Sequence, residues 1–353
     1  MIFYQDCRHI RWDRPCKFHK EYGVHCKECS YYDKIGFKIL IIKLAAVGDV
    51  LRTTSILHGL KEKHKDSHIT WVTRTAAFPL FENNNLVDAI LDCSAESLLR
   101  MQSETYDLVF NPDSSPKSAI LATLAKGKLK RGFGYNEKGH VYPFNKEAQK
   151  WFEMGLFDDI KKANIETYQK IISNIVGISS SGCDIIFNLN EGEKALAKSF
   201  AEKHGVSKED LVIGLNTGAG GRWQKKKWTR EGYLVLIRLI QKELKGCKIL
   251  LYGGPEETER NRYLMEKENG LIDTGCDNTL REFSALLDLC DILVTGDTMA
   301  LHIALALNKK VIALFGPTSQ AEIELYGRGK KLFANMDCLC CYRPTCEGLP
   351  VWT

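Results

Sequence analysis

From residue 37 onward the chain alternates short apolar runs with longer stretches patterned as helices. KILIIKL (38–44) is a continuous apolar run ending in a glycine-containing loop, the pattern of a strand buried on both faces. Similar runs recur at HITWVT (68–73), AILD (89–92) and DLVFN (107–111), and RTTSILHGLKEKH (52–64) reads as a helix between the first two. A second series opens at residue 211 with LVIGLNTG and continues through KILLYGG (248–254), DILVTGD (291–297) and KVIALFGP (310–317). Tyr233, Leu236, Ile237, Ile240 and Leu244 fall at helical spacing, and helical patterns fill 256–268, 280–290 and 299–308. Strands alternating with helices predict parallel βαβ units. The expected fold is α/β, with two Rossmann-like, doubly wound domains at 37–180 and 181–335, joined by a polar helical connection over 147–178.

The ends break this pattern. Residues 1–36 are rich in Cys, His and aromatics with no regular period, which predicts an irregular appendage, and 336–353 form a cysteine-rich tail. No stretch approaches the ~18 consecutive apolar residues of a membrane helix. The N-terminus, MIFYQDCRHIRWDRPC, lacks an apolar signal core, so a cytoplasmic location is expected. In a reducing compartment, clustered cysteines point to metal more than to disulfides. Cys26 and Cys29 have the spacing of a metal knuckle. With Cys7 and Cys16 they make a candidate four-thiolate site for a structural zinc, with iron as the alternative metal and His9, His19 or His25 as alternates for one ligand. Cys338, Cys341 and Cys346 form a candidate second site.

Composition narrows the partners. A net charge of +5, from 49 Lys and Arg against 44 Asp and Glu, suits an anionic small ligand or a lipid-headgroup surface. It falls short of the clustered basic stripe of a nucleic-acid binder, and no nucleic-acid partner is expected.

The candidate chemistry sits at strand ends, where ligands bind in such folds, and the cleft between two facing domains is the expected site. In KLAAVGDVLRTT (43–54), Gly48 permits a tight turn, and Thr53 and Thr54 open the following helix. Asp49 is either a helix-start carboxylate favoured by the macrodipole or a general base facing the cleft. In GLNTGAGGRWQKKKW (214–228), Gly218, Gly220 and Gly221 allow backbone amides to approach a phosphate. Lys225, Lys226 and Lys227 follow at once, so diphosphate binding is favoured over a merely flexible loop. The spacing is not that of an ATP-hydrolysing P-loop. In VTGDTMALHIALAL (294–307), Asp297 or Thr298 caps a helix whose free amides point at an anion, and His302 lies on its first turns. Glu256 and Glu257 in LYGGPEETER begin another helix, where either can stay structural or grip sugar hydroxyls.

Taken together, ILIIKLAAVGDVLRTT, GLNTGAGGRWQKKKW, YGGPEE and GDTMALHIALALNKKVIALFGPT resemble glycosyltransferase family 9, the ADP-heptose:lipopolysaccharide heptosyltransferases, over roughly residues 37–335. The resemblance implies a GT-B fold with the active site between its domains. It also implies inverting transfer of heptose from ADP-heptose to a lipopolysaccharide-core-like, lipid-linked saccharide, with contact at the inner face of the cytoplasmic membrane. Carried over by motif, Asp49 is the general base. Thr217, Gly218, Gly220, Lys226, Glu257, Asp297, Thr298 and His302 bind the donor. No catalytic metal is implied, and the chain contains no Asp-x-Asp pair. The cysteine-rich ends depart from typical members and are reminiscent of autotransporter heptosyltransferases with a cysteine-bound iron, which makes a protein acceptor the alternative. The usual GT-B path of the C-terminal segment, back to the first domain, would bring the two cysteine groups close together. Met299 stands where the family commonly has glycine, which keeps a non-catalytic nucleotide-sugar-binding assembly subunit as a further alternative.

Overall fold

Ile39, Leu40, Ile41 and Ile42 are wholly buried, which is why the first apolar run forms a central strand, β1 (Phe37–Ile42). The computed structural model describes residues 3–11, 13–179, 182, 184–220, 224–336 and 338–343. The first sheet continues with β2 (Ser67–Val72), β3 (Ala89–Leu91), β4 (Thr105–Asn111), β5 (Lys126–Tyr135) and β6 (Val141–Pro143). Its order is β3-β2-β1-β4-β5-β6, parallel except for the β5–β6 pair. The second sheet holds β7 (Val212–Asn216), β8 (Lys248–Tyr252), β9 (Leu271–Asp273), β10 (Ile292–Gly296), β11 (Lys310–Phe315) and β12 (Gly329–Phe333), in the order β12-β11-β10-β7-β8-β9. In both sheets the strand order reverses beside the first strand, between β1 and β4 and between β7 and β10. Crevices at those switch points lie beyond the carboxyl ends of the strands, so the loops after β1, β7 and β10 face the site.

Thirteen α-helices are described: α1 (Lys17–Tyr22), α2 (Val47–Thr53), α3 (Leu57–Lys63), α4 (Ala95–Ser103), α5 (Pro116–Leu124), α6 (Gln149–Leu156), α7 (Asp158–Lys162), α8 (Tyr168–Val176), α9 (Glu191–Lys203), α10 (Arg230–Glu243), α11 (Thr258–Lys267), α12 (Leu280–Leu287) and α13 (Met299–Ala306). The two-domain α/β expectation holds, with local differences. The helix expected over 52–64 starts earlier, at Val47, and passes through a 3-10 turn at Thr54–Ile56 before α3. Thr53 and Thr54 therefore close a helix and do not open one. The connection expected to be polar contains α8, whose Tyr168, Ile171, Ile172, Ile175 and Val176 are buried. One core cluster runs from β1 through α8 and Phe187 to α13 and β11, so apolar packing is continuous between the two domains.

A buried ion pair reinforces that junction. Arg281 on α12 forms a two-pronged bond to Glu193 on α9, Nε and Nη2 each 2.6 Å from a carboxylate oxygen. It also donates to the carbonyl of Asn188 at 2.6 Å and to that of Pro79, in the first domain, at 3.2 Å. Such a fork is among the stronger polar contacts available.

The N-terminal segment packs on the β2–β3 side of the first sheet. Arg8 bonds Asp33, Asp88 and the carbonyl of Ser67, and Cys7 pairs with Lys34 in an isolated antiparallel bridge. The rings of Phe18 and Tyr31 stack with centroids 4.2 Å apart. Cys7, Cys16, Cys26 and Cys29 are not disulfide-bonded. Among the described residues no three His, Cys, Asp or Glu side chains are gathered as a metal-ligand set. Of the C-terminal group, Cys346 lies outside the described residues. Residues 340–342 pack against Gly316 and Pro317. Among the described residues no helix is long and apolar enough to cross a membrane.

Arg281→Met removes the donor to two carbonyls and strips the Glu193 carboxylate of its cation, leaving it the Asn190 N–H. It is expected to cost about 3 kcal/mol, measurable as a lower urea midpoint.

Candidate active site

The loop after β1 turns directly into α2, with Ala46 at the N-cap and Asp49 in the first turn. Asp49 Oδ2 accepts the Ala46 N–H at 3.3 Å, and Oδ1 lies 2.9 Å from Nη2 of Arg52, one turn on. Burial pushes the carboxyl up. Arg52, Lys43 and His302 outweigh it and hold the group down to about 2. Gly48 is needed here for close approach and not for a left-handed turn. A Cβ at residue 48 would lie 3.2 Å from His302 Cδ2 and 3.4 Å from Met299 Cα. The base candidate from the first domain therefore stands directly against α13 of the second.

On the facing wall Lys226 reaches Asp297, its Nζ 2.7 Å from Oδ2 and 3.0 Å from the backbone oxygen. Burial raises Asp297, but Lys226 and His302 bring it below the usual carboxylate range. Thr298 is the N-cap of α13, yet its side chain makes no capping bond. Its hydroxyl instead meets Thr295 Oγ1 at 3.1 Å and Asn216 Nδ2 at 3.4 Å. Neither it nor Asp297 supplies the expected side-chain cap. His302 is buried, and its Nδ1 has no hydrogen-bond partner among the described residues. Burial, reinforced by Arg52 and Lys226, lowers its pKa to about 4 against the pull of Asp297 and Asp49.

Asp49, Lys226, Asp297, Thr298 and His302 all line one cleft of about 570 Å³. The other donor candidates form an adjoining group. Thr217 Oγ1 donates to Asn261 Oδ1 at 2.6 Å. Glu257 is buried, accepting the Gly254 N–H at 3.1 Å and lying 2.8 Å from Lys227 Nζ. A Cβ on Gly218 would fall 2.5 Å from Glu257 Cδ, so glycine there lets the loop lie flush on the carboxylate. Gly220 adopts φ +66°, a conformation glycine takes without cost. Lys226 and Lys227, adjacent in sequence, reach Asp297 and Glu257 and so tie the two groups together.

Sequence reasoning missed several lining residues: Arg52, Trp151, Lys161, Ser319, Glu322 and Tyr342. Arg52 carries a readable signal, three residues from Asp49 on one helix face. Tyr342 accepts the Ser319 N–H at 3.0 Å and donates to Glu322 at 3.1 Å, with Lys161 Nζ 3.6 Å over its ring. No local pattern announces that arrangement.

Gly48→Val crowds α2 against α13 and is expected to cost about 1–3 kcal/mol, read from thermal or chemical unfolding. His302 supplies a pH test. In the folded chain it stays neutral down to about pH 4, well below the ordinary imidazole value of 6.5. Between those values the unfolded chain binds the extra proton, so stability falls as pH drops from 6.5 through 4. That fall is expected to be smaller in His302→Gln, measured as the melting temperature across the window.

Residues 97–350 match the profile of glycosyltransferase family 9 (heptosyltransferase). The chain is 23% identical over 305 residues to lipopolysaccharide heptosyltransferase 1 of Campylobacter coli, covering 80% of this chain and 84% of that protein. Its fold is similar to the crystal structure of a family 9 glycosyltransferase from Veillonella parvula, with TM-score 0.70, 20% identity and coverage of 85% and 86% of the two chains. It is also similar to the E. coli ADP-heptose lps heptosyltransferase II, with TM-score 0.59, 21% identity and coverage of 84% and 90%. The two facing Rossmann-like domains are thus those of a GT-B enzyme, and the chain belongs to glycosyltransferase family 9.

Proposed function

We propose that the chain transfers heptose from ADP-heptose to a hydroxyl of a lipopolysaccharide-core-like saccharide, with inversion at the anomeric carbon and Asp49 as general base. One observation carries the mechanism. Asp49 stands on one wall of a single cleft, while Lys226, His302 and the amide end of α13 stand on the other. The names of the relatives supply the classes of donor and acceptor.

In this reading the acceptor hydroxyl attacks the anomeric carbon as the carbon–oxygen bond to the diphosphate breaks. The hydroxyl proton passes to Asp49, and ADP departs with the bonding electrons. A carboxylate held at about 2 is ionised at any working pH. It takes the proton only as bond formation makes the hydroxyl acidic, so the transfer is concerted. Lys226 and the free amides of α13 face the charge that develops on the leaving group, where preorganised donors act most strongly. The neutral His302 adds a ring nitrogen to the same wall. Leaving-group stabilisation is assigned to these groups and to no divalent ion. Glu257, beside the glycine loop, is assigned to the donor's sugar hydroxyls. A lipid-linked acceptor would bring the chain to the inner membrane face.

Asp49→Asn is expected to lower transfer about 10²–10⁴-fold while ADP-heptose still binds. Full transfer by Asp49→Ala would remove the base assignment. Lys226→Ala is expected to weaken donor capture and lower kcat/KM roughly 10²-fold. Calorimetry with ADP-heptose beside UDP and GDP sugars checks the donor, and a preference for another nucleotide would replace it.

A further inference from the structure

Arg52 has no part in the mechanism above, yet the fold builds a clamp around it. Its side chain is 11% exposed, with Nη2 2.9 Å from Asp49 Oδ1. The guanidinium lies over the Tyr168 ring, Cζ 3.8 Å from the centroid. Thr53 Oγ1 donates to the backbone oxygen of Asp49 at 2.6 Å. That uses its one proton, so in the 2.7 Å contact with Tyr168 the tyrosine hydroxyl is the donor. The contacts close a ring: Asp49 carboxylate, Arg52, Tyr168, Thr53 and Asp49 carbonyl. Both ends of residue 49 are gripped by one unit.

The way Arg52 is used is informative. A buried guanidinium is costly to desolvate, and the usual recompense is a two-pronged fork on the carboxylate. Here there is no fork: the guanidinium meets Oδ1 alone, as an ion pair, and Nε is buried with no acceptor among the described residues. Among the described residues Oδ2 takes only the Ala46 N–H, at 3.3 Å. One oxygen is held and the other is left with accepting capacity beside the cleft. Asp49 is faced by Arg52 from its own helix, Lys43 from the end of β1 and His302 from α13. Arg52 in turn is faced by Asp49, Tyr168 from α8, and Glu322 and Asp297 from the second domain.

We infer that Arg52 is a positioning residue for the transfer reaction, fixing Oδ1 of Asp49 so that Oδ2 is the oxygen presented to the acceptor hydroxyl. The assignment rests on the reading of Asp49 as the base. It carries a chemical trade-off: a cation beside the carboxylate reduces its basicity, and the return is alignment of the proton-accepting oxygen.

The test compares Arg52→Gln, Arg52→Lys and Asp49→Asn in the full chain, using ADP-heptose and a deacylated lipopolysaccharide-core saccharide. For Arg52→Gln, kcat should fall roughly 30-fold, with calorimetric affinity for ADP-heptose unchanged. The acid limb of its pH profile should move up, because Asp49 then titrates nearer the ordinary value of about 4. Arg52→Lys should restore the limb but only part of kcat. A folded Arg52→Gln with wild-type kcat overturns the assignment, as does a loss of kcat without movement of the limb. If the glutamine variant does not fold, the lysine variant decides: reduced kcat at unchanged donor affinity supports the assignment, and wild-type kcat overturns it. Retained transfer by Asp49→Asn would instead show that the base reading itself fails.

Discussion

Two helices from different sheets meet across the cleft at a separation that any side chain on residue 48 would crowd. Gly48 on α2 brings His302 Cδ2 and Met299 Cα within 3.4 Å of where its Cβ would be. The rest of the site follows from that approach. It sets Asp49 close enough to His302 for each to shift the other's titration, and it places both at the switch points of their sheets.

The charges are arranged as a set. Asp49 pairs with Arg52 and Asp297 with Lys226, so a carboxylate–cation pair stands on each wall. Neither pair is isolated, since His302 interacts with both carboxylates and is kept neutral by burial and the two cations. Held neutral, the imidazole adds no further charge to the two pairs.

Much of this was legible in the sequence, for a physical reason. Strands buried on both faces read as unbroken apolar runs, and β1, β2, β4, β7, β8, β10 and β11 all announced themselves so. The segments following them contained Asp49, Lys226, Asp297 and His302. β5 and β12 did not read as strands because KGKLKRGFGY and GKKLF carry lysines on exposed positions toward the sheet margins. The connection looked polar because α8 interleaves Gln, Lys, Ser and Asn with its buried apolar face. Tyr342 and Glu322 stayed hidden because they reach the cleft from distant segments.

The position of Tyr168 has a mechanical consequence. Its ring and hydroxyl belong to the unit holding Asp49, while its backbone N–H donates to the carbonyl of Glu322, in the second domain, at 2.9 Å. A single residue therefore works as a linkage between the lobes, and any hinge motion that parts them pulls on the mounting of the carboxylate.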